Sequence, residues 1–245
     1  MILVDAHCHL ANLGVGMPLE TLLDEAGKKG IKRWLSSALT RSELLRYAEF
    51  EFSGLMYSAG VHPNFDECDL AIEDIARLCE EKRIWAVGEI GLDRGGPEIE
   101  TQKSLMVKQL ELAVEHELPV VLHIVGHQQA AYEILKRYPL RYLVHGYAGS
   151  LEGYRLLARL DSFFTISERI LKPDKLLLLK EMVAGGKYLA ETDMTRYYVL
   201  PGEKNPLLRL LEVVERTLEL GGISESEFGR VQNESFQALT GVCLD

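Results

Sequence analysis

Little in this chain of 245 residues is of the kind that staples, anchors or exports a protein. Its four cysteines, Cys8, Cys68, Cys79 and Cys243, are scattered with no C-x-x-C pair, which argues against both a zinc ribbon and a disulfide framework. They read as reduced thiols. No apolar run nears the ~20 residues needed to span a bilayer, and Met1-Ile2-Leu3-Val4-Asp5 lacks the basic and long apolar regions of a secretion signal. A cytoplasmic protein with no membrane contact is expected. Positive charge is scarce too: 27 lysines and arginines face 37 acids, a formal net charge of −10, so stable non-specific nucleic-acid binding is not expected. A phosphodiester substrate stays open, because carboxylates that hold metal ions attract phosphate through those ions. No G-x-G-x-x-G follows the first apolar run, which counts against a dinucleotide-binding open sheet.

What is present is rhythm. Short apolar runs over 2–7, 33–38, 55–61, 84–90, 120–124, 142–145, 163–166 and 188–191 predict eight strands. Amphipathic stretches over 19–29, 42–52, 70–81, 99–117, 129–138, 151–160, 175–183 and 206–220 predict the helices between them, and 224–239 has room for one or two short helices more. Thr40-Arg41-Ser42-Glu43 and Ser224 with Glu227 read as capping boxes, and Pro173 suits a first helical turn. Eight strand-helix units in this length predict an α/β fold of the (β/α)8 TIM barrel type, a single domain over 1–245 with extra C-terminal helices.

Polar residues interrupt the pattern at the carboxyl ends of the expected strands. His7 and His9 end the first, His62 follows the third, Glu89 and Asp93 end the fourth, His123 the fifth, His145 the sixth, and Glu191 with Asp193 the eighth. A closed parallel barrel gathers those ends on one face, where active sites of this fold sit. His116 and His127 fall in helices or loops and read as ordinary polar residues. Asp5, His7 and His9 are two residues apart, so an extended strand would turn them to one side. Neutral imidazoles with carboxylates suit a borderline divalent ion such as zinc, manganese or cobalt better than an all-oxygen calcium site. Two such ions ~3.5–4 Å apart would supply a hydroxide at neutral pH, which makes hydrolysis the natural chemistry.

The segments Asp5-Ala6-His7-Cys8-His9, Gly60-Val61-His62-Pro63, Gly88-Glu89-Ile90-Gly91-Leu92-Asp93, Pro119-Val120-Val121-Leu122-His123, His145-Gly146-Tyr147-Ala148-Gly149, Glu191-Thr192-Asp193 and Asn233-Glu234-Ser235-Phe236, in that order, resemble the TatD-like metal-dependent hydrolases of the amidohydrolase superfamily. The resemblance implies two divalent ions (Zn, Mn, Co or Mg): His7, His9 and Asp193 on one, His123 and His145 on the other, Glu89 bridging. It implies Asp193, Glu89 and His62 as the catalytic set, Asp193 as general base and His62 as a phosphate contact. Asp5, Asp93 and Glu191 read as braces behind the ligands, and Gln102 and Gln109 as packing or hydrogen-bonding residues.

The chain departs from the family pattern in its loops. Arg94-Gly95-Gly96-Pro97, Ile124-Val125-Gly126-His127 and Met194-Thr195-Arg196-Tyr197-Tyr198 stand where family members carry other residues, so Arg94, Arg196, Tyr197 and Tyr198 are the candidates for substrate contact. The leading expectation is a phosphodiesterase or deoxyribonuclease, 3'-5' exonuclease-like, acting at DNA ends as a monomer or small homo-oligomer. Hydrolysis of a small ester, lactone or amide is the alternative, and a non-catalytic metal-stabilised scaffold the third.

Overall fold

A computed structural model describes residues 1–50 and 52–244. Its eight strands are β1 (Leu3–Cys8), β2 (Ile31–Ala38), β3 (Leu55–Ala59), β4 (Val87–Asp93), β5 (Val120–Val125), β6 (Tyr142–His145), β7 (Ser162–Ile166) and β8 (Tyr188–Ala190). They pair in sequence order and in parallel. Beyond β8 the ring closes on β1: the Asp193 N–H donates to the His7 carbonyl (2.8 Å) and the His9 N–H to the Met194 carbonyl (2.9 Å). Helices connect the strands: α1 (Leu10–Leu13), α2 (Leu19–Lys28), α3 (Arg41–Glu49), α4 (Ile72–Glu80), α5 (Ile99–Glu115), α6 (Gln128–Leu135), α7 (Leu151–Leu157), α8 (Leu176–Gly185), α9 (Arg209–Gly221) and α10 (Glu225–Thr240). This is the (β/α)8 barrel that the rhythm predicts. Among the described residues, no helix is long and apolar enough to cross a membrane.

Two apolar clusters hold the barrel. One lies between strands and helices; Trp34, Met106, Leu110 and Leu179 belong to it. The other draws Val4, Leu35, Val121, Leu143, Phe163 and Leu189 from strands around the ring, so it fills the interior at the end where the strands begin. Phe236 and Leu239 of α10 join it and plug that end. The Gln232 amide fixes α10 to the start of β1, accepting from the Val4 N–H (3.1 Å) and donating to the Ile2 carbonyl (2.9 Å).

The Thr40 box forms: Oγ1 accepts from the Glu43 N–H (3.2 Å) while Glu43 Oε2 accepts from the Thr40 N–H (3.2 Å). Ser224 caps α10 alone, which is one helix of 16 residues where one or two short ones are expected. The helix expected over 42–52 is α3, which ends when Phe50 turns extended; position 51 lies outside the described residues. The fourth strand is shifted. Expected over 84–90, it runs Val87–Asp93, and Glu89 sits inside it. The reason is close backbone approach: Gly91 pairs with His123 at φ +150°, and a Cβ there would fall 2.0 Å from the His123 carbonyl oxygen.

Candidate metal centre

Register sets the floor of the site. His123 pairs directly with His145 across β5 and β6, and the His145 ring stacks on His7 with centroids 3.8 Å apart. Glu89, 2% exposed, stands in the middle. Its Oε2 faces the Nε2 atoms of His7 and His9, each at 3.4 Å. Its Oε1 faces His145 Nε2 at 2.5 Å and His123 Nδ1 at 3.1 Å. Asp193 Oδ1 closes the first side, 3.7 Å from His7 and 3.6 Å from His9. The peptide at Asp193 is left-handed, φ +52°, a conformation aspartate tolerates better than most residues and one that clusters at functional sites.

Protonation follows from this crowding. Burial opposes ionisation of Glu89, yet His145, His7 and His62 around it hold its carboxyl well below the ordinary value. Asp193 is held low in the same way against its own burial, by His9, His145 and His7. Burial would lower the His9 pKa, but Asp193 and Glu89 outweigh it and raise it to about 9. His123, with Asp93 and Glu89 as neighbours, likewise rises to about 9 against burial. For His145 burial wins, and its pKa falls to about 3. Glu191 is pushed well above the carboxylate range by burial and by Asp193.

The hydrogen bonds assign ring faces. His123 Nε2 donates to Asp93 Oδ2 (2.8 Å), leaving Nδ1 toward Glu89. His62 is turned the other way: its Nδ1 accepts from the Asn64 N–H (2.9 Å), so a neutral ring carries its proton on Nε2, 3.3 Å from Glu89 Oε1. That proton makes Nε2 a donor and not a ligand. His7 Nε2 and Glu89 Oε2 are buried without a partner, which is costly unless a further group occupies the space between them. Among the described residues, three groups bring such nitrogen and oxygen atoms within 4.8 Å of one another: His7, His9 and Glu89; His7, His145 and Asp193; and His62, Glu89 and His123, where His62 would join as a donor. Imidazole nitrogen and carboxylate oxygen form a donor set suited to borderline divalent ions, so the residues present fit a metal centre.

The residues read as braces or hydrogen-bonding groups stand behind the ligands, Asp5 among them. Its carboxylate accepts from the Thr192 N–H (2.9 Å) and Oγ1 (2.6 Å), bracing the turn that carries Asp193. The register of β1 shifts between Asp5 and Cys8, so strict alternation fails there: Val4 joins the interior cluster and Cys8 the outer one. Gln102 holds both backbone groups of Asp93, and Gln109 those of Val61 beside His62. Glu191 Oε2 lies 3.9 Å from His145 Nδ1, behind the cluster.

A cavity of about 230 Å³ opens over the centre; Tyr197 and Tyr198 line it, whereas Arg94 and Arg196 do not. Arg196 turns to Glu67 (3.4 Å) and the Tyr197 hydroxyl (2.5 Å). Arg169, which the sequence reading passes over, lines the cavity and donates to Asp193 Oδ2 at 2.6 Å. Its only signal is a cation three residues beyond the seventh strand, which with the second is one of two strand ends without an expected functional side chain. A larger hollow, about 880 Å³, lies among the segments entering β5, β6 and β7 and holds no histidine, so size does not locate the chemistry.

Comparison with known proteins agrees with this geometry. The chain is 32% identical over 160 residues, 61% of each chain, to the uncharacterized metal-dependent hydrolase YjjV of Escherichia coli K12. It is 25% identical to YcfH of the same strain over 98% of this chain and 96% of that one. The crystal structure of YjjV, a TatD homologue, superposes with a TM-score of 0.86 at 27% identity over 98% of both chains. A TatD-family hydrolase from Entamoeba histolytica, 15% identical, shares the fold with a TM-score of 0.80 over 98% of both chains. The family profile described as TatD related DNase matches residues 4–241, and by that near full-length match the chain belongs to the TatD family of metal-dependent hydrolases.

Proposed function

We propose that this chain is a two-metal phosphodiesterase that trims DNA ends. The observation that carries the reading is the division of labour at Glu89, whose two oxygens each face a pair of imidazoles on opposite sides. His7, His9 and Asp193 would hold one divalent ion, His123 and His145 the other, with Glu89 between. Ions so held would bring the pKa of a water toward neutrality and draw charge from a phosphoryl oxygen. The chain's own groups do the rest. Asp193 Oδ2, held ionised beside Arg169, accepts the proton of the attacking water once a substrate phosphate competes for the guanidinium, and returns it to the leaving oxygen as the P–O bond to that oxygen breaks. Arg169 then holds a non-bridging oxygen, and His62 donates from Nε2 to a second.

The depth of the cluster supports a strand end over a duplex. His7 is 1% exposed and the cavity above the centre is small, so one frayed phosphodiester reaches the centre more readily than a stacked double strand. The family description, TatD related DNase, supports DNA as the substrate. The net charge of −10 favours the second reading, a small neutral ester, lactone or amide.

Glu89→Ala is expected to lose bound metal, measured by elemental analysis, and to lower turnover of bis(p-nitrophenyl) phosphate at least ~10³-fold, about 4 kcal/mol of barrier. Wild-type turnover by that variant would overturn the mechanism. A lactone or carboxylic ester cleaved with higher kcat/KM than single-stranded DNA would replace the substrate class.

A further inference from the structure

Next to the metal centre lies a second cavity, about 660 Å³, walled by the segments that follow β4, β5, β6 and β7. Its volume falls in the ~300–1,000 Å³ range of ligand pockets. Arg94, Arg169 and Lys175 stand in its wall with Gln128 and Ser150, and the lining includes no aspartate or glutamate. On a chain of net charge −10 a hollow with charge of one sign only is a local inversion of the surface field. Arg169 lines both cavities and is paired with Asp193, so the second cavity adjoins the centre across one guanidinium.

Glycines hold the cations in place. A Cβ at Gly126 would come 3.2 Å from Arg94 Cβ and 3.3 Å from its Cδ, and one at Gly146 would come 2.9 Å from Arg169 Nη1. Both arginines therefore lie along bare backbone. Lys175 donates one proton to the Ala148 carbonyl at 2.8 Å, which fixes the ammonium at the rim with further donors to offer. Across the mouth the field differs: Glu67 accepts from the Tyr197 hydroxyl (2.7 Å) and faces Arg196 (3.4 Å), so the cation on that side is already matched. An anionic chain leaving the centre is drawn toward Arg94 and Lys175.

We propose that this second cavity is the track for the sugar-phosphate backbone of a single DNA strand whose end occupies the metal centre, with Arg94 and Lys175 binding phosphates beyond the scissile one. The inference rests on the phosphodiesterase reading. It separates two substrate lengths: a dinucleotide meets the centre alone, whereas a hexanucleotide also meets the track. Wild-type kcat/KM is expected to be on the order of tenfold or more higher for the single-stranded DNA hexanucleotide, since a hydrogen bond to a charged group contributes about that factor.

In the double variant Arg94→Ala with Lys175→Ala that advantage should collapse to about twofold or less. The slope of log KM against log salt for the hexanucleotide should become shallower by about 1.4, at ~0.7 per lost contact on a single strand. Lys175→Arg, which keeps the charge, should retain most of the advantage, and Arg94→Glu, at an exposed position, should invert it without touching the core. An unchanged length advantage in the double variant, or none in the wild type, overturns the track while bis(p-nitrophenyl) phosphate turnover leaves the centre standing. Failure to cleave any phosphodiester, bis(p-nitrophenyl) phosphate included, overturns the catalytic reading and the track together.

Discussion

The barrel interior is hydrocarbon where the strands begin and imidazole and carboxylate where they end, although the same strands furnish both. Val121 and His123, Leu143 and His145, Leu189 and Glu191 are pairs two residues apart on β5, β6 and at β8, the first of each pair in the interior apolar cluster. At that end the contacts are almost wholly apolar, with the Trp85 indole N–H the member of the cluster buried without a hydrogen-bond partner. At the other, His7 Nε2, Glu89 Oε2 and His145 Nδ1 are buried without a hydrogen-bond partner, at ~1–3 kcal/mol each. One end folds for its own sake; the other is stable because the first tolerates it, and its donor set is one that a metal would complete.

The comparison is sharpest where the two ends are perturbed separately. Phe236 is fully buried in the plug, and Phe236→Ala should cost ~3–5 kcal/mol, read from the denaturant midpoint. Metal content per folded chain should not change. If the variant folded but lost its metal, the two ends would not be energetically separate.

The polar end should answer to pH in two opposite senses. His9 and His123 titrate near 9 in the metal-free protein, above the ~6.5 of an unfolded chain. A raised folded pKa contributes stability that is whole below ~6.5 and is lost as pH climbs through 9. The metal-free protein should therefore grow less stable over that window. Metal binding must displace both protons, so between the same limits metal affinity should rise, by roughly 100-fold per pH unit for two protons. Calorimetry in buffers of different ionisation enthalpy counts the protons. A release near zero at pH 7 would mean that the carboxylates do not hold these imidazoles charged.

How much of this was legible depended on whether a signal was local. Eight apolar runs and the polar residues that end them are local, and they place the barrel, Glu89 and five histidines on one face. The fourth strand is expected to end at 90, before Gly91, and only the approach of the His123 carbonyl to Gly91 shows how β4 runs on through it. Asp5 reads as a brace and stands as one, on Thr192, but the register shift beside it in β1 is one that no alternation rule foresees. Arg196 pairs with Glu67, and Arg169 reaches Asp193; such partners are far apart in the chain, and the direction of a loop cation is decided in space alone.

Asp93 tests whether the rim of the polar end works through its ligands. It accepts from His123 Nε2 at 2.8 Å and from the Gly95 N–H at 2.7 Å, so it fixes the ring with Nδ1 inward. Asp93→Ala should have two consequences of opposite sign. Freed from its carboxylate, His123 would titrate lower, which lessens competition from protons; released from its hydrogen bond, the ring would lose orientation and basicity, which weakens metal binding by ~10–100-fold. Above pH 9 the wild-type ring is already neutral, so only the second effect remains and the deficit is largest. Toward pH 7 the first effect offsets part of it. Metal titrations at the two pH values should thus show a gap that narrows as pH falls, and a gap that widens would mean that Asp93 acts on the backbone turn at Gly95 instead of on the imidazole.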